Sequence, residues 1–127
     1  MIYKGGCHCG EVQFQVEAPD VIECTECNCS ICTKSGYLHL IVPKSRFKLL
    51  QGEGSLTTYT FDSAVAKHRF CMICGIKSFY IPRSNPDGFD INVHCLDPQP
   101  EKLIIEKFDG KNWELNVHKL SHLSKET

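Results

Sequence analysis

Residues 23–32 read ECTECNCSIC and place Cys24, Cys27, Cys29 and Cys32 within nine positions. Four readings are open for so dense a group: disulfides, one closed metal site, a cluster site, or an open site that does chemistry. The choice decides whether the fold is a disulfide scaffold or a core stapled by metal.

The chain holds nine cysteines in 127 residues. The count is odd, and the first stretch, MIYKGGCHCG, lacks the apolar segment of a signal peptide. We therefore expect a soluble cytoplasmic protein, with the nucleus left open, whose cysteines serve as metal ligands or catalytic thiols. Cys-x-Cys pairs also make poor disulfides, because the ring they close is small and strained.

Two further groups flank the first. GGCHCGEV (5–12) carries Cys7 and Cys9, and RFCMICGIKSF (69–79) carries Cys71 and Cys74 just before Gly75. Cys-x-x-Cys-Gly at a strand end is a zinc-knuckle arrangement, with two thiolates pointing one way and amides free to donate to them. The two groups together supply four thiolates, a full tetrahedral set for zinc at about 2.3 Å. Such a closed site is structural, and its binding energy is folding energy.

With those four assigned together, Cys24, Cys27, Cys29 and Cys32 remain for a second centre. Cys27-x-Cys29-x-x-Cys32 can turn three thiolates toward one ion and leave the fourth position to water or substrate, as catalytic zinc sites do. Cys24 as a fourth ligand would close the site, and a four-cysteine set also suits an iron–sulfur cluster. Spacing does not choose among these. For Cys24 a buried thiol is the simpler reading, and Cys95 in NVHCLD reads as core.

Net charge is -1, from 14 basic and 15 acidic residues. No basic stripe argues for nucleic acid, and no apolar run nears the ~18 residues of a membrane span. The remaining pattern is β-like. EVQFQV (11–16) alternates apolar and polar residues, and short β-branched or aromatic runs recur at 37–42, 46–50, 55–61, 66–71, 76–81, 88–96 and 102–108. Turn signals separate them at 18–20, 52–54, 82–88 and 97–100. We expect a mainly β fold, one helical turn within NCSICTKSG (28–36), a single domain over 1–120, and a fraying polar tail over 121–127.

The segments GGCHCGEVQF, CNCSICTKSG, FCMICGIKSFY and INVHCLD together resemble the glutathione-dependent formaldehyde-activating enzyme family, to which centromere protein V also belongs. The resemblance runs from Gly5 to Asp97, with a weaker echo in FDGKNWE (108–114). It implies a tent-like zinc-binding β fold of stacked antiparallel sheets. It implies two zincs per chain, one structural on Cys7, Cys9, Cys71 and Cys74, and one labile and catalytic on Cys27, Cys29 and Cys32. The implied activity is a carbon–sulfur lyase, in which formaldehyde and glutathione, the co-substrate, condense reversibly to S-hydroxymethylglutathione. The partners are then a small thiol and an aldehyde.

Glutathione's carboxylates call for cations, and Lys34, Lys44, Arg46, His68, Arg69 and Arg83 are candidates by residue type. His8, His39 and His68 read as ordinary surface or hydrogen-bonded histidines, and Trp113 as core or rim. His94 and Asp97 are the candidates to support the site from behind its ligands. Two other classes stand beside the enzyme: a non-catalytic zinc-stabilised module that recruits a protein partner, as kinship with centromere protein V would suggest, and a metal or redox sensor built on the clustered thiols.

Overall fold

The structure, a computed structural model, describes residues 1–125. The first half runs β1 (Ile2–Gly6), β2 (Gln13–Glu17), β3 (Val21–Cys27), α1 (Ser30–Ser35), β4 (Leu38–Pro43) and β5 (Phe47–Gln51). The second runs β6 (Leu56–Tyr59), β7 (His68–Cys71), β8 (Phe79–Tyr80), β9 (Gly88–Asn92), β10 (Lys102–Phe108) and α2 (Trp113–Asn116). The fold is mainly β, as the strand pattern predicts.

The period-two pattern of β2 turns Phe14 and Val16 to one side, and both are fully buried. β2 pairs with β1 on one edge and β5 on the other, giving a three-stranded antiparallel sheet. A five-stranded sheet follows the order β10-β3-β4-β9-β8, and β6 pairs with β7. All of these pairings are antiparallel except β10 with β3, which run parallel and in register from Lys102–Val21 to Phe108–Cys27. Every residue of β4, LHLIVP, is buried, as expected of a strand packed on both faces.

Aromatic rings join the small sheet to the large one. Phe47 stacks on Phe89 with centroids 4.4 Å apart and tilts against Phe79 at 4.8 Å, while Phe14 meets Phe79 edge-on at 6.0 Å. Such pairs add about 0.5–1.5 kcal/mol each beyond area burial. Ile22, Ile91, Val12 and Val93 fill the rest of the interior without exposure.

Several boundaries differ from the sequence pattern. β1 and β3 are strands that the pattern did not single out. The run expected over 88–96 ends at Asn92, whose side chain accepts the His94 backbone N–H and turns Val93–Cys95 into a 3-10 turn. The run over 76–81 shortens to Phe79–Tyr80. In place of a fraying tail, Ser121–Ser124 forms a 3-10 turn whose Ser124 is buried. Asn85, only 1% exposed, donates to Leu120 O and to Ser124 Oγ, both at 2.9 Å. Residues 126–127 of that expected tail lie outside the described residues. No helix among the described residues is long and apolar enough to cross a membrane.

Candidate active site: two cysteine clusters and a cavity

Cys7 and Cys9 sit in the turn between β1 and β2, while Cys71 ends β7 and Cys74 follows in the next turn. The four Sγ atoms lie within 4.8 Å of one another. Cys9 Sγ is 3.6 Å from Cys7 Sγ and 3.7 Å from Cys71 Sγ. Tetrahedral zinc–thiolate geometry separates its sulfurs by about 3.8 Å, so the spacing fits that ion. Backbone amides complete the cradle: Val12 N–H donates to Cys7 Sγ at 3.3 Å and Ile73 N–H to Cys71 Sγ at 3.4 Å. The knuckle turn needs a left-handed residue after Cys74, and Gly75 supplies it at φ 77°.

The second cluster is local. Cys27 closes β3, Cys29 stands at the start of α1, and Cys32 lies in its first turn. Their three Sγ atoms also lie within 4.8 Å of one another. Hydrogen bonds, first from Cys27 and then from Cys32, hold Cys29 down to about 2. Sharing a proton with Cys29 pushes Cys27 up, and contact with Cys27 and then Cys29 pushes Cys32 up. Three soft donors on one side of an ion suit a thiophilic metal with an open position. Cys24 is not among them. It is 3% exposed in the core, and its Sγ donates to Ile104 O at 3.6 Å. Cys95 joins neither cluster, and burial pushes its thiol up to about 11.

The chain after β10 is drawn tightly over this second cluster. Asn28, between Cys27 and Cys29, donates to Asp109 Oδ1 and accepts the Lys111 backbone N–H, both at 3.0 Å. Gly110 then passes so close that a Cβ there would stand 2.3 Å from Cys27 Sγ. Only glycine allows that approach.

Behind Cys32 is a partnership that the sequence reading missed. Asp90 Oδ2 lies 2.6 Å from His39 Nδ1, and His39 Nε2 lies 3.1 Å from Cys32 Sγ. His39 is 6% and Asp90 1% exposed. The carboxylate fixes the tautomer with hydrogen on Nδ1, so the Nε2 lone pair faces the thiol. Asp90 Oδ1 is buried with no hydrogen-bond partner among the described residues. β4 pairs with β9 so that His39 opposes Asn92 and Ile41 opposes Asp90, which makes His39 and Asp90 diagonal neighbours. The signal available in the sequence was one imidazole inside the otherwise apolar run YLHLIV.

Cys27, Cys29 and Cys32 border a cavity of about 410 Å³, within the range of small-molecule sites. Phe61, Tyr80, Pro82, Phe108, Trp113 and Leu120 give it apolar walls. His39, His68, Asp90, Asp62, Arg83 and Lys111 supply its titratable groups. His68 is sandwiched between Phe61 and Tyr80, at 5.3 and 5.0 Å between centroids. It accepts from Lys77 Nζ at 2.7 Å. Burial and then Lys77 draw His68 down to about 4, and burial draws Lys77 down to about 8.

Of the cations proposed by type, His68 and Arg83 border the cavity, whereas Lys34, Lys44, Arg46 and Arg69 do not. His94 and Asp97 are exposed and away from that cavity, but His94 borders a second one together with Cys27 and Cys32, whereas Asp97 borders neither of the two. None of Cys7, Cys9, Cys71 and Cys74 borders it.

Comparison with known proteins bears on this arrangement. A family model described as glutathione-dependent formaldehyde-activating enzyme matches residues 2–108. A Halomonas elongata protein, provisionally named a glutathione-dependent formaldehyde-activating enzyme, is 46% identical over 35 residues, which is 28% of this chain and 22% of that protein's length. A crystal structure of a Rhodobacter sphaeroides protein superposes with a TM-score of 0.67 at 36% identity, covering 75% of this chain and 88% of the other.

Proposed function

The chain belongs to the glutathione-dependent formaldehyde-activating enzyme family, and from that premise we propose a zinc-dependent carbon–sulfur lyase that joins glutathione, or a similar small thiol, to formaldehyde or a related aldehyde. One observation carries the reading. Of the two cysteine clusters among the described residues, the three-thiol one borders the cavity of ligand size and the four-thiol one stands apart from that cavity. We assign a structural zinc to Cys7, Cys9, Cys71 and Cys74 and a catalytic zinc to Cys27, Cys29 and Cys32.

In the reaction a thiolate lone pair forms the C–S bond, the carbonyl π pair moves onto oxygen, and that oxygen takes a proton. A zinc ion supplies Lewis acidity and lowers the pKa of a thiol beside it. The chain's own groups do the rest. His39 Nε2, on the cavity wall beside Cys32, takes the proton that the incoming thiol gives up and passes it to the carbonyl oxygen, and Asp90 Oδ2 steadies the imidazolium in between. Phe61, Tyr80 and Trp113 give the aldehyde an apolar wall. The reverse reaction runs through the same groups.

Exchange spectroscopy of formaldehyde, glutathione and their adduct tests the proposal. The zinc-loaded protein should speed exchange well above buffer, and Cys29→Ser should return it to the buffer rate. No acceleration with two zincs bound overturns the lyase reading.

A further inference from the structure

Arg83 lies in the loop after β8, and its guanidinium carbon sits 3.7 Å from the centroid of the Trp113 ring. Stacking holds the planar fork in one orientation and leaves its edge N–H groups free for a bidentate partner. No ion pair among the described residues engages it, since the two present are His39–Asp90 and Lys125–Asp87. Lys111, exposed on the same cavity, likewise has no carboxylate within 4.0 Å among the described residues. Against these two cations the cavity sets Asp62, because Asp90 is committed to His39. The cavity therefore joins a sulfur-lined floor to a pre-oriented, unspent guanidinium.

We infer that this site selects thiols that carry a carboxylate, and that Arg83, held flat on Trp113, is the residue that grips it. The inference rests on the proposed function and narrows it to anionic thiols and their aldehyde adducts, with neutral thiols as poor ligands. The clamp is assembled from two distant pieces of chain. Asn85, two residues beyond Arg83, is bonded to Leu120 and Ser124, so the segment that carries Trp113 is tied to the loop that carries Arg83. A charged hydrogen-bonded pair of this kind is worth about tenfold or more in affinity.

The test uses the full zinc-loaded chain and three probes: glutathione, its diethyl ester and 2-mercaptoethanol. Trp113 is the single tryptophan of the sequence, so its fluorescence reports on the stack, and calorimetry gives the affinity independently. Glutathione should bind about tenfold or more tighter than its ester and should perturb Trp113. Arg83→Gln should bring glutathione down to the ester's affinity at unchanged zinc content, and Arg83→Lys should restore part of the preference. Trp113→Leu should lower the preference with Arg83 intact, through loss of the stack. Equal binding of acid and ester by the parent protein, or a preference that survives Arg83→Gln, overturns the inference. Adduct exchange measured in the same samples separates the two claims: exchange without acid preference removes the clamp and leaves the lyase. Failure of all three probes to bind removes both.

Discussion

The two cysteine clusters use the same ligand atom and differ in everything around it. The four-thiol group reaches across the chain, from the β1–β2 turn to the end of β7, and its sulfurs receive backbone amides. Its donors are complete, and none of them lines the cavity beside the three-thiol group. The three-thiol group spans six residues, Cys27 to Cys32, and faces a cavity. Behind one of its three thiols, Cys32, stands a buried imidazole braced by a carboxylate. A metal that joins distant segments stabilises the fold, whereas one held by a single turn can leave without taking the fold with it. Ligand number and sequence separation thus support the proposal of a structural role for one cluster and a chemical role for the other.

The largest effect should come from exchanging one ligand in each cluster. Cys71→Ser, at a fully buried position, should abolish cooperative unfolding or leave the protein insoluble, because structural zinc contributes about 10–16 kcal/mol in small domains. Cys29→Ser should keep a cooperative melt near that of the parent while losing one zinc by native mass spectrometry. Comparable melting of the two variants would break the distinction.

A smaller effect is expected behind the open cluster. Asp90→Asn and His39→Phe should weaken zinc retention there by about 10–100-fold, as loss of a partner behind a metal ligand does, and leave the four-thiol zinc in place. Competition with a chromophoric chelator, read as two separate release steps, checks this. His39→Gln should recover part of the loss, which a merely structural role would not allow.

The smallest effect concerns acid. His68 is held down to about 4, first by burial and then by Lys77, against an ordinary 6.5. A depressed histidine means that the unfolded chain binds its proton first as pH falls. The stabilising contribution is therefore full above pH 6.5 and is lost progressively toward pH 4. Thermal melts across that window should fall less steeply for His68→Gln than for the parent, and equal slopes would remove His68 from the account.

Much of this architecture was open to a reader of the sequence, for a local reason. Cys27, Cys29 and Cys32 lie so close along the chain that their spacing alone constrains their sulfurs, and the glycine after Cys74 marks the knuckle turn. The alternation of EVQFQV likewise gave β2. β3 was harder, because VIECTEC alternates buried Ile22 and Cys24 with polar residues, yet its cysteines drew it toward ligand duty. His39 and Asp90 are 51 residues apart and meet only through the register of β4 on β9. No local pattern announces such a pairing. The same holds for Arg83 and Trp113, which come together because a buried asparagine anchors the last turn.

The family match ends at residue 108, while Gly110, Lys111, Trp113 and Leu120 border the cavity. The cavity is therefore lined by the stretch that marks kinship together with a shorter one beyond it. Kinship carries the proposal of metal chemistry. On the proposed reading the clamp bridges that boundary, Arg83 before it and Trp113 after it, so substitutions in the last segment can retune specificity without touching a single cysteine.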